Sequence, residues 1–144
     1  MIKVPRFFKK FDRGINVKII FFDGVCGLCN GFVTFIMKVD KKRKFYFSPL
    51  QGEFANEHLP KHFISDLKSV VLMSDGKISS KSDAVIRILV EIGGIWKVAL
   101  ICRILPVFLL DFFYNLIAEN RYRLFGKKSS CRIPSPEERS RFVI

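Results

Sequence analysis

A single α/β domain built on a sheet of about four strands is predicted by three features of the sequence. An apolar, β-branched run, Val17 to Phe22, gives way at Cys26 to helical periodicity. Val70 to Met73 and Lys77 to Ser79 flank a turn signal, Ser74-Asp75-Gly76, which predicts a hairpin. The 144 residues are 49% hydrophobic and include 16 Phe, enough to fill one substantial core. That content excludes a disordered chain of low hydrophobicity and high charge, and no repeat pattern is present.

Taken in order, Val17 to Phe22 is bounded by Gly14 and Asp23-Gly24 and reads as a buried, central strand. Leu28, Phe32, Phe35, Ile36 and Val39 then mark one apolar helix face ending near Asp40. Phe45 to Phe47 is a second strand closed by Ser48-Pro49, and Gln51 to His62 is a polar crossover, helical or irregular. Beyond the hairpin, Ser82 and Asp83 are expected to cap a helix carrying Ala84, Val85, Ile88, Leu89 and Ile92 inward and ending at Gly93-Gly94. Trp96 to Ala118 has the length of a membrane span, about 20 apolar residues. Arg103, Pro106 and Asp111 interrupt it, which predicts two helices packed on the sheet or lying on a membrane surface. The polar tail from Lys127 to Ile144 is expected to lie over the domain as an arm.

The formal charge is +12, from 25 Lys and Arg against 13 Asp and Glu. Basic residues cluster at the start, at Lys38 to Lys44 and beyond Arg121, rims that suit an anionic membrane or acidic partner as well as a solvated face. No recognised nucleic-acid motif accompanies them, and nucleic acid is not an expected partner. Val17 to Phe22 is too short for a secretory signal, so a cytoplasmic location with reduced or catalytic thiols is expected, with membrane association as an addition. The N-terminal Val4, Phe7, Phe8 and Phe11 form an apolar helical face opposite Arg6, Lys9, Lys10 and Arg13, the pattern of an interfacial anchor or of a segment docked on its own core.

The feature richest in chemistry is Cys26-Gly27-Leu28-Cys29 at the strand-to-helix junction. Cys26 at the helix start has unpaired backbone N–H groups and the positive dipole end beside it, which favours its thiolate. Cys29, one turn in, is expected to be the more buried thiol with the higher pKa, so the pair suits an attacking and a resolving thiol. Asp23, three residues before Cys26, either carries the proton of Cys29 or fixes the turn. Asp23-Gly24-Val25 matches half of the haloacid dehalogenase signature, but Phe21 occupies the nucleophile position, so no phospho-aspartate can form. A zinc tetrathiolate would require Cys102 and Cys131 to converge on the pair, and simple buried thiols are the other alternative. Cys102 is expected in the core, Cys131 is a third redox thiol or incidental, and His58 and His62 read as surface residues. No metal or other cofactor is expected.

Asp23-Gly24-Val25-Cys26-Gly27-Leu28-Cys29-Asn30 resembles the D-x-x-C-x-x-C signature of the DCC family of predicted thiol-disulfide oxidoreductases. Ser48 to Gln51, Lys81 to Ala84, Tyr114 with Ile117-Ala118, Asn120 to Gly126, and Cys131-Arg132 with Pro134 and Arg141-Phe142 resemble the family pattern in the same order. The resemblance runs from about Val17 to the C-terminus and implies a thioredoxin-like fold. With the patterning above, the chain divides into a basic amphipathic arm at 1–16, outside the resemblance, a thioredoxin-like domain with a helical extension at 17–126, and a C-terminal arm of the same domain at 127–144. It also implies that Cys26 and Cys29 alternate between dithiol and disulfide on a protein or small-molecule thiol or disulfide substrate. Leu67-Lys68-Ser69 replaces the proline that precedes the corresponding strand in better known thioredoxin-like enzymes, leaving the docking surface to other residues. Arg121 and Arg123 are the candidates for facing the pair, where they would stabilise a thiolate or bind an acidic substrate, or else they bind helix C-terminal carbonyls. The competing reading is a peripheral membrane or protein-interaction module without turnover; the sequence leaves the oligomeric state open.

Overall fold

The computed structural model describes residues 18–65, 70–74, 77–126 and 135–143. Its strands are β1 (Lys18–Phe22), β2 (Phe45–Pro49), β3 (Val71–Ser74) and β4 (Lys77–Ser80), in the spatial order β2-β1-β3-β4. β1 runs parallel to β2 and antiparallel to β3, and β3 pairs antiparallel with β4, so Ile20 sits between Phe47 and Leu72. The helices are α1 (Gly27–Val39), α2 (Glu53–His58), α3 (Lys61–Ser65), α4 (Lys81–Ile92) and α5 (Val107–Phe125), with a 3-10 helix over Gly94–Ile104 and a short 3-10 turn at Arg139–Arg141. This four-stranded mixed sheet with helices over it is the expected thioredoxin-like α/β fold, with β1 central.

The unbroken apolar run of β1 is explained by cover on both faces. Ile20 and Phe22 face Val33 and Ile36 of α1 and Ala84 and Ile88 of α4. Ile19 and Phe21 point the other way, onto Leu50, Phe54, Ala55 and Leu59, with Phe21 stacked on Phe54 at 5.9 Å between ring centres. Full burial of each such side chain contributes about 1.5–3 kcal/mol. The C-terminal segment returns to this sheet: the Val143 amide donates to the Phe47 carbonyl at 2.8 Å. Buried Arg141 donates from Nη2 to Asp40 Oδ2 at 2.5 Å and to the Phe45 carbonyl at 3.1 Å.

Three expectations need correction. α4 begins at Lys81 after Ser80, without a side-chain cap; Ser82 lies inside the helix and donates to Asp111 Oδ1 of α5 at 2.5 Å, while Asp83 pairs with Arg87 at 2.8 Å. Tertiary partners on α5 and the next helical turn therefore take the groups that local reasoning assigned to the cap. Cys102 is exposed, because only Ala99 of the 3-10 helix is buried. The second helix of the Trp96 to Ala118 stretch continues to Phe125, and the pair bends by 114° between its two segments. Pro106 lacks an amide N–H and holds Leu105 extended, at ψ 145°, which produces the break. Among the described residues no single helix is long and apolar enough to cross a membrane. The N-terminal face of Val4, Phe7, Phe8 and Phe11, the Leu67-Lys68-Ser69 segment, and Cys131 lie outside the described residues.

Candidate active site

Cys26 is the N-cap of α1: it keeps an extended backbone, and its Sγ accepts the Cys29 amide N–H at 3.4 Å. The turn that presents it is held from both sides. Asp23 Oδ1 accepts the Val25 amide at 3.1 Å, and Asn30 Nδ2 donates to the carbonyls of Gly24 and Cys26, both at 2.9 Å. Gln51, in the turn after β2, completes the brace, accepting the Gly24 amide at 3.1 Å and donating to Asp23 Oδ1 at 2.5 Å.

The second wall comes from the last turns of α5. Arg121, only 3% exposed, lies with Nη2 at 3.0 Å from Asp23 Oδ2 and Nη1 at 3.7 Å from Cys29 Sγ. Tyr122 donates its hydroxyl to Asp23 Oδ2 and accepts from Arg121 Nη2 at 3.2 Å. The Asp23 carboxylate thus receives four donors, two on each oxygen, which compensates the cost of burying its charge. Arg121 Nε is buried with no hydrogen-bond partner among the described residues.

α5 reaches this position because Gly27 has no side chain. A Cβ there would sit 2.3 Å from the Phe125 carbonyl oxygen, and the Gly27 amide donates to the Gly126 carbonyl at 3.2 Å. Gly126 ends α5 at φ +81°, a left-handed geometry that favours glycine. One consequence corrects the expected order of burial. Cys26 is 0% exposed and Cys29 6%, because the end of α5 closes over the start of α1. Both are free thiols in this structure.

The electrostatics of the two groups follow from this enclosure. Burial, then the neighbouring Cys26, pushes the Cys29 thiol up to about 12, with Arg121 pulling the other way. Burial lowers the Arg121 guanidinium, but Cys29, Tyr122 and Asp23 together outweigh that and hold it above its ordinary value. Tyr122 is pushed up to about 12, first by burial and then by its hydrogen bond to Asp23. Beside Cys29 opens a cavity of about 250 Å³ whose wall is formed by Leu28, Phe32, Val85, Tyr114 and Ile117 together with Cys29 and Arg121. Tyr114 accepts the Val70 amide at 2.8 Å and is itself raised to about 12 by burial.

Of the residues singled out from the sequence, Cys26, Cys29, Asp23 and Arg121 therefore come together, while Arg123 is exposed on α5, two positions round the helix from Arg121. Tyr122, Gln51, Asn30 and Tyr114 were not assigned roles from the sequence, although each falls within a block that carries the family resemblance. Among the described residues no three His, Cys, Asp or Glu side chains group as metal ligands.

Comparison with known proteins agrees with this architecture. The pattern of the DCC1-like thiol-disulfide oxidoreductases matches residues 20–127. The chain is 38% identical over 128 residues to the uncharacterized protein YuxK of Bacillus subtilis, covering 88% of this chain and 93% of that one. It is 37% identical over 118 residues to the DCC family protein At1g52590, chloroplastic, of Arabidopsis thaliana, covering 80% and 69% respectively. No solved structure matches significantly. With a matched pattern spanning both cysteines, Asp23 and the end of α5, the chain belongs to the DCC1-like thiol-disulfide oxidoreductase family.

Proposed function

We propose that this protein exchanges two electrons with substrate disulfides through Cys26 and Cys29. The observation that carries the reading is the asymmetry of the pair: Cys26 Sγ receives the Cys29 amide, whereas Cys29 is held protonated with Arg121 beside it. In the reducing direction, the Cys26 thiolate attacks one sulfur of a disulfide, the substrate S–S bond breaks, and one substrate thiolate leaves. Cys29 sulfur then attacks Cys26 in the mixed disulfide; the Cys26–Cys29 bond forms, and the second substrate sulfur leaves with the proton from Cys29. Arg121 stabilises the negative charge that passes through Cys29, and Asp23 positions Arg121. The reverse sequence oxidises a substrate dithiol.

Because Cys26 is enclosed, attack requires the Arg121 to Gly126 turn to move aside, and the cavity at Cys29 supplies an apolar surface beside the pair. Protein or small-molecule disulfides both fit this chemistry. The test is reduction of a model protein disulfide with dithiothreitol as electron donor. The native protein is expected to accelerate it, and Cys26→Ser and Cys29→Ser to remove the acceleration; a native rate equal to that of the double Ser variant would refute the reading.

A further inference from the structure

Among the described residues, every exposed large apolar side chain except Ile78 lies between Ile95 and Phe125, on the bent pair formed by the 3-10 helix and α5. Two of the three most exposed flank the bend itself, Ile104 at 82% and Phe108 at 76%, with Leu105 and Val107 between them; the third, Ile95 at 79%, lies at the far end of the 3-10 helix. No charged residue lies between Arg103 and Asp111. A contiguous apolar surface of this kind on a folded domain marks a docking face.

We infer that this apolar corner docks the protein onto an anionic lipid surface. A 114° bend places the exposed Ile104 and Phe108 on either side of one corner, where acyl chains can surround them. Charge selects anionic lipid. The chain carries +12, Lys97 and Arg123 are exposed on the two arms of the bend, as is Arg103, which lies 3.7 Å from Asp83 Oδ1, and Lys127 and Lys128 follow α5 in the sequence. The same two arms carry two acidic residues, Asp111, which is turned inward to Ser82, and Glu119, which is exposed. Each basic group near such a surface strengthens binding about fivefold. Neither arm spans the bilayer; both lie in the interface, so the pair of cysteines plays no part in the binding.

Sedimentation of the full chain with phosphatidylglycerol/phosphatidylcholine vesicles tests the inference, with phosphatidylcholine alone as the comparison. Expected are co-sedimentation with the anionic vesicles that weakens with salt, and a loss of about tenfold or more in Ile104→Glu/Phe108→Glu at an unchanged thermal midpoint. Binding should be retained in Cys26→Ser/Cys29→Ser, which separates it from the redox reading. A single-tryptophan variant, Trp96→Phe/Phe108→Trp, should shift its emission to the blue on the same vesicles and serves if the double Glu variant does not fold. The inference is overturned by absence of native co-sedimentation, by binding that survives the double Glu change, by loss of binding on deleting residues 1–13 alone, or by a lipid-free dimer that the double Glu change dissociates.

Discussion

Arg121 Nη1 lies 3.7 Å from Cys29 Sγ although the two residues are 92 positions apart, and the same guanidinium contacts Asp23 at 3.0 Å. One cation therefore joins the end of α5 to the start of α1. Arg121→Met leaves the buried Asp23 charge without its counter-ion, a loss of about 3–5 kcal/mol by thermal or denaturant unfolding. Arg121→Met/Asp23→Asn removes both charges and is expected to be less destabilised than Arg121→Met alone; additive losses would show that the two do not interact.

Gly27→Ala should separate enclosure from chemistry. A methyl group 2.3 Å from the Phe125 carbonyl forces α5 back, at a cost of about 1–3 kcal/mol. With the cover displaced, alkylation of Cys26 by iodoacetamide in the folded protein should become faster. An unchanged labelling rate would show that the end of α5 does not control access.

Asp23→Asn distinguishes positioning from proton transfer. With four donors on the carboxylate, a positioning role predicts that the mixed disulfide held on Cys26 resolves about tenfold more slowly. A general base would contribute about 100-fold or more. Single-turnover release of substrate thiol, measured against pH, reads the difference, and a slowing of the larger size would assign the proton to Asp23.

The reduced protein should lose stability as pH rises from about 9 towards about 12. Cys29 is raised to about 12 in the folded state, so in this window the unfolded chain releases a proton that the folded chain retains, and unfolding gains. Tyr114 and Tyr122, each raised to about 12, add to the loss from about 10 upward. Cys29→Ser should flatten the early part of this decline in urea-midpoint measurements. A native protein equally stable across the window would contradict the enclosure of Cys29.

Local pattern carried most of the fold. The switch from the apolar β1 run to the spacing of Leu28, Phe32 and Ile36 located the cysteines at a strand-to-helix junction, and Pro106 correctly divided the long apolar stretch. What local pattern lacked was the far partner. Asp23 meets Tyr122 and Arg121, and Asp40 meets Arg141, 101 residues later, through contacts that depend on how α5 and the C-terminal segment return to the sheet. The enclosure of Cys26 has the same origin: a helix start is normally open, and only the docking of Gly126 against Gly27 closes it. Cys102 was misplaced because its neighbours are apolar, although the 3-10 helix turns most of them outward.

Equilibration with graded ratios of reduced to oxidised glutathione, followed by acid quench, alkylation and mass analysis of the peptide holding both thiols, tests the redox pair most directly. The expected result is a single two-electron transition in which that peptide loses two hydrogens and its alkylation sites together, absent from Cys26→Ser and from Cys29→Ser. Alkylation of both Cys26 and Cys29 at every ratio, or oxidation that joins either one to Cys102 or Cys131 instead, would contradict it.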